Sequence, residues 1–221
     1  MTPFAKLLFR KRSFPKTGGN MTQDIRAGNR GRPRVFDEAE FLNGAIALFS
    51  ASGFSGVGIS ELTKATGLTV GSVYKAYQDK EGVFVKALEH YIALREAHIA
   101  TIFEQAENAR ARIEGLLRLY VDLSKGRDGR LGCLIVAGIA DIDQVGQAAD
   151  ILRAQISSRQ TMLSRLIEEG QRDGSIAAKG DACAIATVLL ALLQGMRVVG
   201  KAGEFTEDGE IFVARALRIL D

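Results

Sequence analysis

From position 37 onward, apolar residues recur at spacings of three and four in segments broken by glycine, and they almost nowhere alternate strictly. That periodicity predicts an all-α chain. The first segment opens on Asp37 with Glu40 three residues on, the form of a capping box that satisfies the orphan amides of a first helical turn. Phe41, Leu42, Ala45, Leu48 and Phe49 make its buried stripe, Gly53 ends it, and Phe54 is expected to fold back onto the same core. The run Ile59 to Tyr77 then reads as two short amphipathic helices joined by a tight turn at Gly67, where a positive φ is required. Ile59, Leu62, Leu68 and Val73 are expected to face inward, with Ala65 small at the closest approach of the pair.

The remainder, residues 80–221, reads as six helices. The first runs from Lys80 to Asn108 behind an Asp79 cap and is long enough to link two domains. Ala109–Lys125, Gly132–Gln144, Gln147–Asp173, Asp181–Gly200 and Thr206–Leu220 follow, with glycine-containing breaks at Gly126–Gly129, Gly146, Gly174–Gly180 and Lys201–Gly203. The last two are the most apolar. Val188, Leu192 and Met196 on one, with Phe212 and Leu217 on the other, are the expected faces of a twofold four-helix interface between two copies.

Composition narrows the function classes. The most apolar stretch, Ala182 to Leu193, is 12 residues and contains Thr187, short of the roughly 18 that suggest a membrane span. The apolar patch Phe4–Phe9 is interrupted by Lys6, so no secretory leader is expected and the chain is placed in the cytoplasm. Cys133 and Cys183 sit in no metal-ligand spacing, and no phosphate-cradling loop or nucleophile, base and orienting set appears, so neither a metal, nor a cofactor, nor catalysis is expected.

Charge adds a partner. Residues 1–36 carry nine Lys/Arg against one acid, Asp24, and are net +8; residues 37–221 carry 20 against 25 and are net −5. Residues 1–28 read as a disordered basic extension, with Met21 a second plausible start. Residues 29–79 then form a DNA-binding unit in which Arg32 and Arg34 alternate with Gly31 and Pro33 ahead of the first helix, a cationic strand suited to phosphates or a minor groove. Thr69 is placed to cap the second helix of the pair, leaving Val70, Gly71 and Ser72 small at a helix start that could enter a major groove. Tyr74, Lys75 and Lys80 offer a phenol and two ammonium groups to phosphates, Ser60 a hydroxyl, while Tyr77 is assigned to the core.

From Phe41-Leu42 through Gly53-Phe54, Ile59, Leu62, Lys64-Ala65, Gly67-Leu68-Thr69, Gly71, Tyr74, Tyr77 and Lys80-Glu81, the chain resembles the DNA-binding domain of TetR-family repressors over about 50 residues. The resemblance implies an N-terminal three-helix helix-turn-helix domain, a C-terminal domain of about six helices that pairs two subunits and encloses a ligand pocket, and operator DNA and a small-molecule effector as partners. The chain departs from the family pattern in three places. Val57-Gly58 stands where a Ser or Thr is usual, Thr63 replaces a small apolar residue, and Val70 replaces a basic one. A valine there could meet a thymine methyl, with charge supplied by Arg32 and Arg34.

For an effector, the polar residues inside apolar patterns are the candidates: Tyr91, His98, Tyr120, Cys133 and Asp141, with Gln144 and Gln194 beside them. Cys133 is also a candidate redox or electrophile sensor, its thiol acidified by nearby Arg130. An activator and an effector-independent regulator fit the same pattern.

Overall fold

The computed structural model describes residues 37–205 and 208–221; Arg32, Arg34 and the rest of the basic arm lie outside the described residues. Ten α-helices and a closing 3-10 turn, with no strand, are found among the described residues. Helices α1 (Glu38–Ser52), α2 (Ile59–Thr66) and α3 (Val70–Tyr77) lead into α4 (Lys80–Glu104). They are followed by α5 (Ala109–Ser124), α6 (Gly126–Leu131), α7 (Leu134–Ala140), α8 (Ala148–Asp173), α9 (Ala182–Ala202), α10 (Gly209–Ala216) and the turn Leu217–Leu220. Among the described residues, positions 80–221 carry seven α-helical segments, two of them, α6 and α7, only six and seven residues long. The stretch at Gly126 is helical where its glycines suggest a break, and the helix expected over Gly132–Gln144 is confined to Leu134–Ala140.

The helix starts follow local chemistry. Asp37, Thr69, Asp79, Asn108, Asp181 and Asp208 each accept a backbone amide of the first turn that follows. Gly58 has no side chain to offer, and there Glu61 Oε2 reaches back to the Gly58 amide at 2.9 Å. Gly67 ends α2 at φ +74°, the left-handed conformation the turn needs.

Two apolar cores result. One joins α5, α8, α9 and α10 around Leu116, Leu163, Leu189 and Leu193. The other is centred on Phe41, Phe49 and Phe84, all at most 2% exposed, with Phe49 and Phe84 edge to face at 5.0 Å. This second core does not stop at residue 79. Val83, Phe84 and Leu88 of α4, Leu134 and Ile135 of α7, and Val145, Ala148 and Leu152 complete it. The three-helix unit is thus seated on the larger domain by shared burial.

Helix α9 is the one described helix long and apolar enough, by length and composition, to cross a membrane; beyond Leu193 its apolar residues resume, interrupted by Gln194 and Arg197, to Val199. Its inner face is accounted for by packing on α5 and α8. Met196 at 2% exposure and Leu217 at 8% belong to the core of the single chain, so they are not outward-facing as expected of interface residues. Val188 remains 53% exposed, and Leu192 and Phe212 are half-buried.

Candidate nucleic-acid interface and buried cavity

Helix α3 is held from behind and bare in front. Val73 and Tyr77 are buried beneath it, Tyr77 stacked on Phe41 at 5.0 Å, and its hydroxyl donates to Glu38 at 3.3 Å. Burial, helped by Glu38, raises the Tyr77 pKa well above its ordinary value, so the phenol stays neutral. On the outer side Val70 is 49% and Tyr74 50% exposed, with Gly71, Ser72, Lys75 and Ala76 also open. Thr69 Oγ1 accepts the Ser72 amide at 3.2 Å and lies 2.8 Å from Ser72 Oγ, so both hydroxyls are engaged in the cap. A methyl group added at Gly71 would touch nothing within 4 Å. The tip of α3 is therefore a low, half-apolar prow suited to a groove floor.

Two expected contacts look different in three dimensions. The Lys80 ammonium donates to Phe54 O at 3.1 Å and sits 4.1 Å from the centre of the Phe54 ring, where it clamps the end of α1 instead of standing in solvent. Lys75 is the exposed cation of α3. Ser60 is exposed at the start of α2, its hydroxyl turned to Glu61 Oε2 at 3.2 Å, and Ala65 is exposed on the surface, not at the helix crossing.

Behind this face, side chains of α4, α5, α7, α8 and α9 converge on a cavity of about 30 Å³. Tyr91, Tyr120, Cys133 and Gln194 line it, together with Arg95, Arg159 and Arg197, which are 6%, 5% and 3% exposed. Arg95 Nη2 donates to Tyr91 Oη at 3.1 Å, and Tyr91 Oη lies 3.4 Å from Cys133 Sγ. Arg159 pairs with Glu96 at 2.5 Å, and Arg197 donates to Leu123 O and, at 2.7 Å, to Gly132 O. Burial raises the Tyr91 pKa to about 12 against the pull of Arg95. At Cys133 burial opposes ionisation, but Arg197, the Tyr91 hydroxyl, the Val136 amide and Arg95 together outweigh it and hold the thiol below its ordinary value. Arg130, assigned that role from its nearness in sequence, is exposed on the surface.

His98 and Asp141 do not line the cavity. His98 is half-buried one turn further along α4 than Arg95, and its pKa is lowered by burial and by Arg95. Asp141 lies past the end of α7, where its carboxylate accepts the Ser55 amide at 3.1 Å while Gln144 Oε1 accepts the Ser55 hydroxyl at 2.6 Å. These two residues fasten the large domain to the loop after α1. Lys201 Nζ, donating to Ser50 O at 2.6 Å, is a further clasp, and within the large domain Glu81 Oε1 accepts the Gln147 amide at 2.7 Å.

The comparisons with known proteins speak to this arrangement. A family model described as "Bacterial regulatory proteins, tetR family" matches residues 41–87, and one described as "Tetracyclin repressor-like, C-terminal domain" matches 109–206. The chain belongs to the TetR family of transcriptional regulators. Among its TetR relatives, the Escherichia coli transcriptional repressor ComR is 25% identical over 193 residues, covering 86% of this chain and 92% of ComR. The E. coli repressor NemR is 26% identical over 172 residues, covering 76% and 85%. A cysteine mutant of the TetR regulator CifR, solved with 26-bp operator DNA, superposes with a TM-score of 0.74 at 29% identity, covering 86% of this chain and all of that one. Reduced E. coli NemR gives 0.69 at 25%, covering 82% and 96%. This TetR chain is accordingly a helix-turn-helix DNA-binding regulator and not an enzyme, with repressors as its relatives.

Proposed function

We propose that the chain is a homodimeric repressor that grips operator DNA through α3 in the cytoplasm and lets go when a small molecule enters the cavity. One observation carries the release step. The cavity wall and the seat of the DNA-binding unit are adjacent residues: Cys133 lines the cavity, and a Cβ on Gly132 would lie only 2.8 Å from Ser50 O near the end of α1. Any occupant that displaces the Gly132–Cys133 joint shifts α1, and with it α3. In a dimer the two α3 helices must meet successive major grooves about 34–36 Å apart, so a small change in their separation weakens binding.

The dimer reading rests on the apolar surface one protomer leaves uncovered. Val188, Val198, Val199 and Ile211 are 43–54% exposed, beside a groove of about 450 Å³ lined by Leu192, Met196, Phe205 and Phe212. A second copy of the same surface would bury it. Charge for the phosphates comes from Lys75 and from Arg32 and Arg34 of the arm, which compensate for Val70 at the front of α3.

DNA recovered by selection from genomic fragments should contain an inverted repeat, and a screen of small molecules should release it. Val188→Glu/Val199→Glu should sediment as a monomer and lose that DNA; a dimer with full affinity would sink the assignment of this face. Arg32→Ala/Arg34→Ala should lower both affinity and the steepness of its salt dependence. A cysteine-triggered release is a second reading, favoured by the acidified Cys133 thiol beside Arg197 and by neighbours described as a reduced form and as cysteine mutants. Cys133→Ser would then bind DNA normally but stop responding to an electrophile.

A further inference from the structure

The lining of the cavity is richer in cation than its folding role explains. Arg95, Arg159 and Arg197 reach it, and no Asp or Glu is among its lining residues. Glu96 balances Arg159. Among the described residues Arg197 donates only to neutral oxygens, Leu123 O, Gly132 O and Ser124 Oγ, and its buried Nε finds no hydrogen-bond partner there. A guanidinium buried among uncharged acceptors lacks the counter-charge that normally offsets its desolvation. Tyr91, Tyr120, Cys133, Gln155 and Gln194 add uncharged polar groups to the wall, and Ile92, Leu123, Ile135 and Ile156 form its apolar part.

We propose that this cavity binds a small organic monocarboxylate, its carboxylate on Arg197 and its short hydrocarbon portion against Ile92, Ile135 and Ile156. The guanidinium fork matches a carboxylate and not a neutral amide. The isoleucines favour an organic acid over a hydrated inorganic oxyanion. A volume of about 30 Å³ holds roughly two water-sized groups, fewer than the heavy atoms of acetate, so the wall must give way as the acid enters and the acid is short. Because Arg197 also holds Gly132 O, a carboxylate that recruits it competes with the bond that fixes the joint against α1. This step names the effector class of the release reading above and rests on it.

The test uses the full chain and two readouts, thermal unfolding and binding of the selected DNA, at constant pH and ionic strength. Sodium acetate, propionate and butyrate are compared with acetamide, propionamide and butyramide, and with sodium nitrate and phosphate. The carboxylates should raise Tm by about 3–5 °C at ten times Kd and loosen DNA, and the amides and inorganic anions should do neither. Arg197→Lys keeps the buried charge but not the fork, and should bind the best carboxylate about tenfold or more weakly. Equal shifts from amides or from nitrate and phosphate, or no shift from any carboxylate up to tens of millimolar, would overturn the proposal, and these comparisons need no variant. Arg197-dependent carboxylate binding that leaves DNA affinity unchanged supports the site and sinks its role in release. DNA released by a neutral or electrophilic compound, with no carboxylate bound, sinks the carboxylate and leaves the release reading standing.

Discussion

Replacing Gly132 with alanine adds one methyl group at φ +94° and ψ −164°, a backbone region in which side-chain-bearing residues are essentially absent. Holding an alanine there costs about 1–3 kcal/mol. The new Cβ would also stand 2.8 Å from Ser50 O and 3.0 Å from Lys201 Cδ. The lysine stem can swing away; the carbonyl belongs to α1 and moves only with it. The combined penalty is about 3 kcal/mol, and at roughly 2–4 °C per kcal/mol for a chain of this size Tm should fall by about 6–12 °C. Gly174→Ala separates the two contributions. Gly174 also has a positive φ, +80°, but lies in the ordinary left-handed region, and a Cβ there meets nothing within 4 Å, so its cost is about 1 kcal/mol and about 2–4 °C. Both variants are to be unfolded thermally under circular dichroism, then titrated with the selected DNA. Gly132→Ala should lose DNA affinity beyond its loss of stability, because the methyl pushes on the end of α1, whereas Gly174→Ala should bind normally. Equal Tm losses, or a Gly132→Ala protein with unchanged DNA affinity, would refute the wedge between cavity and DNA-binding unit.

Lys75→Ala should reduce the slope of log affinity against log salt by about one phosphate contact. Lys80→Met should leave that slope nearly unchanged and instead cost about 1–2 kcal/mol of stability, since it removes the Phe54 carbonyl bond and the ring contact; parallel salt titrations and melts decide between these roles. His90 and His98 both have pKa values lowered in the folded state, chiefly by burial. Between the folded and unfolded values the unfolded chain binds more protons, so stability should fall as pH drops below about 6.5 and stop falling once both states are protonated. His90→Gln should flatten that decline in urea titrations at pH 7, 6 and 5; an unaltered decline would remove His90 from the account.

The helix-turn-helix was legible because each of its signals is local. Gly67, the Thr69 cap and the inward Leu62 and Val73 act within a few residues of one another. The cavity was half legible. Tyr91, Tyr120, Cys133 and Gln194 stand out as polar residues within apolar patterns, but Arg95 and Arg159 give no signal, because an arginine on an amphipathic helix is ordinarily a solvated residue. Arg197 left a clearer trace, as one charge between Met196 and Val198 in the most apolar helix. Asp141 and Gln144 share the apolar neighbourhood of α7 in sequence, yet their partner Ser55 is more than 80 positions away, and only the fold joins them. Helix α6 was hidden by the glycines that make it possible. A Cβ on Gly129 would lie 2.1 Å from Ser124 O and 3.1 Å from Gly200 O, so glycine there answers to crowding by neighbouring backbone and not to a helix end.

The second core also bears on how regulators of this architecture can be recombined. Phe84, Leu134, Val145 and Leu152 are all fully buried against the residues that carry α3. A chimera joined at residue 79, which looks like the natural seam on paper, would set an inherited reading head on a foreign floor and leave those apolar groups mismatched. A graft that keeps its grip must carry the α4 residues 83–91 and residues 133–152 with the head. New DNA specificity in this lineage should then arise more readily by point changes on the outer side of α3 than by exchange of whole heads.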